Sequence, residues 1–277
     1  MTLSETSIND CNAAAVDGRD GGLSALKFVL VETSRPGNIG AVARAMKTMG
    51  FSQLVLVRPR FADAASDPEA IAFASGAQDV LAGAQVVDSI EEALAGCNFA
   101  AAVSARLREF SPPVATPRAL AEQLVAAVDC RAALVFGNER YGLPNTIVEK
   151  CNVLINIPAN PAYSSLNLAQ AVQIVAYECA IALLAGRVPA APVTTVTPVT
   201  PTMTTMTTTG EAAGLVQIEA LYVHLEEALI ALEFLDPANP KKLMSRLRRL
   251  FSRTGLEIEE VNILRGIANR ILRRRSA

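Results

Sequence analysis

The chain has 277 residues, of which 51% are hydrophobic and 19% charged, and its formal net charge is −2. That length and apolar content suffice for one large domain, or a medium domain with an appendage, and exclude a wholly disordered chain. A total so near neutrality excludes no class of partner, so what matters is where the charges lie.

Residues 1–24 read as a disordered tail, without the basic leader and apolar block of a secretory signal. Lys27–Glu32 is a short apolar strand. Thr33–Gly40 (TSRPGNIG) is a loop of turn formers, and Ala41–Met49 is a helix closed by Gly50. Leu54–Val57 is a second strand. This β–loop–α–β unit is the signature of a parallel sheet. Helices are predicted over Pro68–Leu81, Ile90–Leu94 and Pro117–Val128, and strands at Val86-Val87, Phe99–Ser104 and Ala132–Phe136. A polar loop, Gly137–Asn145, follows. Leu154–Ile157 is another buried strand, ended by Pro158 and Pro161, because proline cannot extend a ladder. Ser164 and Ser165 stand where a long helix begins and can cap its free N–H groups. That helix is apolar almost all round, which demands burial on more than one side: against its own sheet, with a second subunit as one candidate for the rest. No apolar run has the length and flanks of a membrane span; the longest are interrupted by Asn, Gln, Glu or Arg. The alternation predicts an α/β domain over 25–187.

From 188 to 213 Thr and Pro dominate and apolar periodicity vanishes, as in an extended linker. Beyond it, over 214–277, Ala220–Glu233, Lys241–Ser252 and Glu257–Arg274 are helices of a small appendage. Residues 236–277 hold 11 Lys or Arg against 4 Asp or Glu, and the rest of the chain 14 against 23. This asymmetry suggests a basic module for an anionic polymer or membrane, joined to an acidic remainder.

The five cysteines, at 11, 97, 130, 151 and 179, form no Cys-x-x-Cys pair and their number is odd. Free thiols in a reducing cytoplasm fit this pattern, and a zinc or other metal site does not. The one histidine, His224, lies in the appendage. A Ser-His-Asp or Cys-His catalytic set inside the main domain is thereby excluded.

Three loops follow strands and precede helices. The first holds Arg35, Gly37, Asn38 and Gly40, with Arg44 about a turn further on. It is either an ordinary βα turn or a ligand loop, and it is neither G-x-G-x-x-G nor a Walker sequence. The second holds Gly137, Glu139, Arg140 and Tyr141, at the carboxyl end of a buried strand where α/β folds place ligands; a structural ion pair is the alternative. The third, Pro158–Asn167, has Ser164, Ser165 and Asn167 as caps or as contacts to a polar ligand. All three could meet at one sheet edge.

Taken together, ETSRPGNIGAVARAMKTMGF, LVFGNERYGLPN and INIPANPAYSSLNLAQAVQIVAYE resemble the three motifs of the SPOUT class of RNA methyltransferases, in its SpoU/TrmH-type 2′-O-ribose branch. YVHLEEALIALEF and KKLMSRLRRLFSR resemble the helical C-terminal extension of the TrmJ subgroup. The resemblance implies a SPOUT fold with a C-terminal trefoil knot, S-adenosylmethionine as cofactor, and a homodimer in which each site is completed by the other subunit. The implied reaction is methyl transfer to a ribose 2′-hydroxyl, at nucleotide 32 of the tRNA anticodon loop. Alternatives are another tRNA or rRNA nucleotide, or a non-catalytic RNA-binding homologue. Arg44, Asn38 and Ser165 would be catalytic. Ser104, Gly137, Glu139, Ile157, Ser165 and Leu166 would hold the cofactor. Arg35, Arg140, Arg246, Arg248 and Arg249 would contact tRNA. Neither DNA nor a membrane is implied.

Overall fold

The computed structural model describes residues 26–108, 111–127, 129–187 and 211–275. The expected tail, and the expected linker up to residue 210, lie outside the described residues. Seven strands form one sheet: β1 (Lys27–Val31), β2 (Leu54–Val57), β3 (Gln85–Val87), β4 (Phe99–Val103), β5 (Val114–Ala115), β6 (Ala132–Phe136) and β7 (Val153–Ile155). Their order is β3-β2-β1-β6-β4-β7-β5. Every pairing is parallel. All carboxyl ends therefore emerge along one edge.

Successive side chains of a strand point to opposite faces, and the strands here are apolar on both. Phe28, Leu30, Leu56, Leu134 and Phe136 enter one core. Val29, Val31, Val55, Val57 and Val135 enter the other. Helices α1 (Pro36–Thr48), α2 (Pro68–Ala74), α3 (Gln78–Ala82), α5 (Pro117–Ala126) and α7 (Leu168–Arg187) cover the first face. The short helices α4 (Ile90–Ala93) and α6 (Asn145–Val148) cover the second, together with Leu215 of the appendage.

Three helices correct the reading from sequence. Helix α1 begins at Pro36, so most of the expected Thr33–Gly40 loop is its first turn, with Pro at the first helical positions. Proline is suited to that place because its missing N–H would be unsatisfied anyway. The glycines serve packing: a Cβ on Gly40 would lie 2.0 Å from the Ala70 carbonyl oxygen of α2. The single helix expected over Pro68–Leu81 is two, α2 and α3, because Ser75 and Gly76 turn left-handed at φ 42° and 96°.

Helix α7 starts two residues after the expected cap. Asn167, through Oδ1, accepts the Ala169 N–H at 2.9 Å, so Asn167 rather than Ser164 or Ser165 closes its first turn. Val172, Val175, Ala176 and Cys179 are buried in the core that holds α1 and α5. Tyr177, Ile181 and Leu184 are 49%, 44% and 56% exposed. By length and composition Leu168–Ala185 is apolar enough to cross a membrane, contrary to the expectation from its interrupting polar residues. Its inner stripe is part of the domain core.

The appendage is α8 (Leu215–Ala231), α9 (Leu243–Phe251) and α10 (Ile258–Arg275). It has a small core of Ala213, Leu221, Leu256 and Val261. Residues 211–213, at the end of the expected linker, already belong to it: Ala212 bridges Glu257 and the Ala213 N–H donates to the Leu256 carbonyl. Among the described residues, polar contacts join the packing of Leu215 in docking it on the domain. The Leu215 N–H donates to the Cys97 carbonyl at 3.1 Å, the Ser245 hydroxyl to Glu149 at 3.2 Å, and Lys150 pairs with Glu219 at 3.1 Å.

Candidate functional site

Strand register assembles the site. Phe136 at the end of β6 is level with Leu30 of β1 on one side and Val103 of β4 on the other. Val103 is level with Ile155 of β7. The residues just beyond these ends therefore emerge side by side: Glu32, Gly137, Ser104 and Asn156. This is the carboxyl edge, where open parallel sheets bind ligands.

At its centre the first and second loops are tied by one carboxylate. Glu139 accepts from the Asn38 amide at 2.7 Å. Its other oxygen accepts from the Ser34 N–H at 3.0 Å and the Ser34 hydroxyl at 2.8 Å. Asn167 of the third loop donates to the Asn38 carbonyl oxygen at 3.4 Å. Burial pushes the Glu139 carboxyl pKa up, but the Asn38 and Ser34 donors together outweigh it and leave it below the ordinary value. Glu139 is thus an ionised anchor for Asn38.

The second loop is rigid for a local reason. Asn138 donates to the Glu32 carbonyl at 2.6 Å and accepts from the N–H groups of Arg140 and Tyr141 at 2.8 and 3.2 Å. A Cβ on Gly137 would lie 2.2 Å from the Gly142 carbonyl carbon. Gly142 itself has φ 70°, a conformation natural to glycine. Across the sheet edge, Asn156 donates to the Ser104 carbonyl at 3.1 Å, and the Ser104 hydroxyl accepts the Arg106 N–H at 3.1 Å.

The residues expected at the site divide into groups. Asn38 and Glu139 meet directly. Gly137, Ser104 and the start of the third loop, with half-buried Ile157, lie on neighbouring strand ends. Ser165 is exposed and Leu166 half-buried; neither belongs to the Glu139 cluster. Arg44 is exposed and stands six residues beyond Asn38 on α1, about 240° round the helix at 100° per residue. Within the protomer it does not join Asn38. Arg35 and Arg140 are exposed, the latter 5.5 Å above the Tyr141 ring.

In the appendage, Arg246 and Arg249 are exposed, but Arg248 is turned inward. Its two terminal nitrogens donate to the two Glu219 oxygens, each at 2.7 Å, and its guanidinium lies 4.3 Å from the Tyr222 ring centroid. Arg248, one of the residues expected to contact tRNA, is thus held in an internal fork by a partly buried carboxylate.

Sequence reasoning missed Ser34, Asn138 and Asn156. Each is a polar residue beside a strand end, which composition marks only as a turn former. Among the described residues the thiols offer no alternative nucleophile: burial pushes Cys97 up, Cys130 to about 11, and Cys151 and Cys179 to about 12, so they stay protonated.

An all-parallel α/β domain with a polar site at its carboxyl edge and a helical appendage defines a broad class, and comparison with known proteins narrows it. Residues 25–177 match the model of the SpoU rRNA Methylase family, and 216–277 that of the tRNA methyltransferase TrmJ C-terminal domain. The tRNA (cytidine/uridine-2′-O-)-methyltransferase TrmJ of Klebsiella pneumoniae is 44% identical over 246 residues, 88% of this chain and 95% of the relative. Its counterpart from Yersinia enterocolitica is 43% identical over 247 residues, covering 89% and 91%. The crystal structure of TrmJ from Z. mobilis ZM4 superposes with a TM-score of 0.72 at 31% identity, covering 88% of this chain and 98% of that one. The chain belongs to the SpoU methylase family, in its TrmJ branch of 2′-O-methyltransferases.

Proposed function

We propose that this protein transfers a methyl group to the ribose 2′-hydroxyl of nucleotide 32 in the tRNA anticodon loop, with S-adenosylmethionine as donor. The observation that carries the reading is the convergence of Asn38, Glu139 and Asn167, one from each of three loops, at one sheet edge in a chain of the TrmJ branch.

The loops fit the donor. The Gly137 turn admits no side chain and brings its backbone beside Ser104 and Asn156, while Ser165 keeps an exposed hydroxyl. Gly137, Ile157, Leu166, Ser104 and Ser165 would hold the group. When bound, S-adenosylmethionine supplies an electrophilic methyl on a sulfonium.

The chain then has two tasks: to align the ribose hydroxyl and to ease loss of its proton. Asn38, held through its amide by Glu139, presents an oriented carbonyl oxygen. Arg44 is an exposed guanidinium, a side chain that stays charged and binds phosphate. It holds the phosphate beside the hydroxyl and stabilises the developing alkoxide, and the proton leaves to water or phosphate. Arg44 lies on a different side of α1 from Asn38, and a site shared across a homodimer would accommodate that separation. The apolar outer stripe of α7, with Tyr177, Ile181 and Leu184, is the surface we assign to that dimer. The trefoil knot, with the third loop and α7 as its threaded segment, belongs to the same proposal and rests on family membership. Exposed Arg246 and Arg249 give the appendage a tRNA-facing side.

Mapping methylated nucleotides on bulk tRNA tests the reading. Arg44→Ala is expected to lower kcat by about 10²-fold or more, as for loss of a group that acts on developing charge, while tRNA affinity falls only by about the fourfold of one lost phosphate contact. Equal kcat in Arg44→Ala and the parent protein would remove Arg44 from this role.

A further inference from the structure

Apart from Arg44 on α1 and Arg187 at the end of α7, the arginines of the main domain fall into two sets. Arg58 pairs with Glu32 at 2.7 Å and Arg118 with Glu178 at 3.1 Å. Arg131 donates to the Gly96 carbonyl at 2.8 Å and Arg108 to the Leu143 carbonyl at 2.5 Å. Arg35, Arg60, Arg106 and Arg140 are exposed, and among the described residues no carboxylate or carbonyl takes their guanidinium groups. These four follow β1, β2, β4 and β6, each three or four residues past the strand end. Those strands are consecutive neighbours in the sheet, in the order β2-β1-β6-β4. At about 4.8 Å per strand the row spans roughly 15 Å.

The β2 end of the row is built as part of the site. The Arg60 N–H donates to the Thr33 carbonyl at 3.1 Å, fixing this loop against the one that carries Ser34 and Arg35. Glu32 and Arg58, which form the adjoining ion pair, both hold positive φ, 53° and 44°, an uncommon conformation for side chains other than glycine. Glu32 is occupied by Arg58, and Glu139 by Asn38 and Ser34, so neither of these carboxylates neutralises the row. Next to Arg60 stands Phe61, 44% exposed, with the Arg60 guanidinium 5.3 Å from its ring centroid. A cation beside an open aromatic face is the pairing that single-stranded nucleic acid binds, by phosphate contact and base stacking.

We propose that Arg60, Arg35, Arg140 and Arg106, in that spatial order, form a phosphate track along the carboxyl edge, and that Phe61 stacks an unpaired base at its β2 end. The track extends the substrate surface beyond the reacting nucleotide to its neighbours on the same strand, and it rests on the tRNA reading given above.

The test measures tRNA affinity as a function of salt for the full-length protein, with methyl transfer by the parent protein as reference. Arg60→Ala and Arg106→Ala should each reduce the log–log salt slope by about 0.7, which weakens binding about fourfold near 0.15 M salt. Phe61→Ala should weaken binding about fivefold or more with the slope unchanged, and Phe61→Tyr should restore it. Lys47→Ala, which removes an exposed cation paired with Asp79 at 2.8 Å, should leave the slope at its parent value. Parent slopes in Arg60→Ala and Arg106→Ala would overturn the track. Equal losses in Phe61→Tyr and Phe61→Ala, with thermal midpoints unchanged, would overturn the stacking role. A parent protein that methylates no tRNA would instead overturn the underlying reading, and this proposal with it.

Discussion

Glu139 shows how one side chain ties together segments far apart in sequence. It touches Asn38 and Ser34, and Asn38 in turn touches Asn167. Truncating Glu139 to Ala leaves part-buried donors without an acceptor, at a cost of about 1–3 kcal/mol. Glu139→Gln retains one acceptor and loses the other. Because Asn38 is then free to turn, kcat for tRNA methylation is expected to fall about 10²-fold, a loss typical of small misplacement, with KM little changed. An unchanged kcat in steady-state assays would show that Asn38 needs no anchor. The residues of this cluster were legible singly, since Asn38, Glu139 and Asn167 all stand in polar loops after strands. Their contact was not, because it joins positions about a hundred residues apart and depends on sheet order. The cofactor role expected of Glu139 came from the family resemblance; its carboxylate binds Asn38 and Ser34 of the first loop.

Among the elements, the buried strands were the most legible. Ala132–Phe136 is an unbroken apolar run whose five residues are all buried, and the run alone located its ends. The first helix was harder to read, because Pro36, Gly37 and Gly40 carry the marks of a turn. Their actual reason is proximity: α1 and α2 pack so closely that Gly40 has no room for a methyl group. Gly40→Ala is therefore expected to destabilise the domain by about 1–3 kcal/mol, as overpacking does, and a denaturant midpoint would register it. Gly76→Ala meets no neighbour but suffers from φ 96°, so its cost comes from the backbone. For α7, periodicity showed an excess of apolar surface. If the proposed dimer is right, Ile181→Glu should convert it to monomer in sedimentation and abolish methylation while the monomer stays folded. An unchanged sedimentation coefficient would place the interface elsewhere.

At the scale of the whole molecule, the appendage is held by charges that composition suggested were for RNA. Glu219 receives Arg248 from one side and Lys150 from the other, and Lys150 also reaches Glu91 at 2.9 Å. Burial pushes the Glu219 carboxyl pKa up; Arg248 and Lys150 pull it down further, so the folded value lies below the ordinary one. A carboxyl so lowered contributes stability above its unfolded pKa, and that stability is lost as pH falls through the folded value. The thermal midpoint should thus decline as pH drops below about 4.5, and Glu219→Gln should flatten that decline. Equal slopes in both proteins would mean that the fork does not couple docking to pH. Which arginines face outward could not be read from charge density, since Arg248 and Arg249 are adjacent in sequence and differ only in what the fold sets beside them.

The all-parallel strand order also has a consequence in time. Lys27 of β1 is level with Ala133 of β6, so one edge of the apolar β1 has no partner until β6 has been synthesised. At about 5–20 residues per second, that edge stays uncovered on the ribosome for roughly 5 to 20 s. During this interval the nascent chain carries an open, hydrophobic strand edge, and it is then that a chaperone would have most to shield.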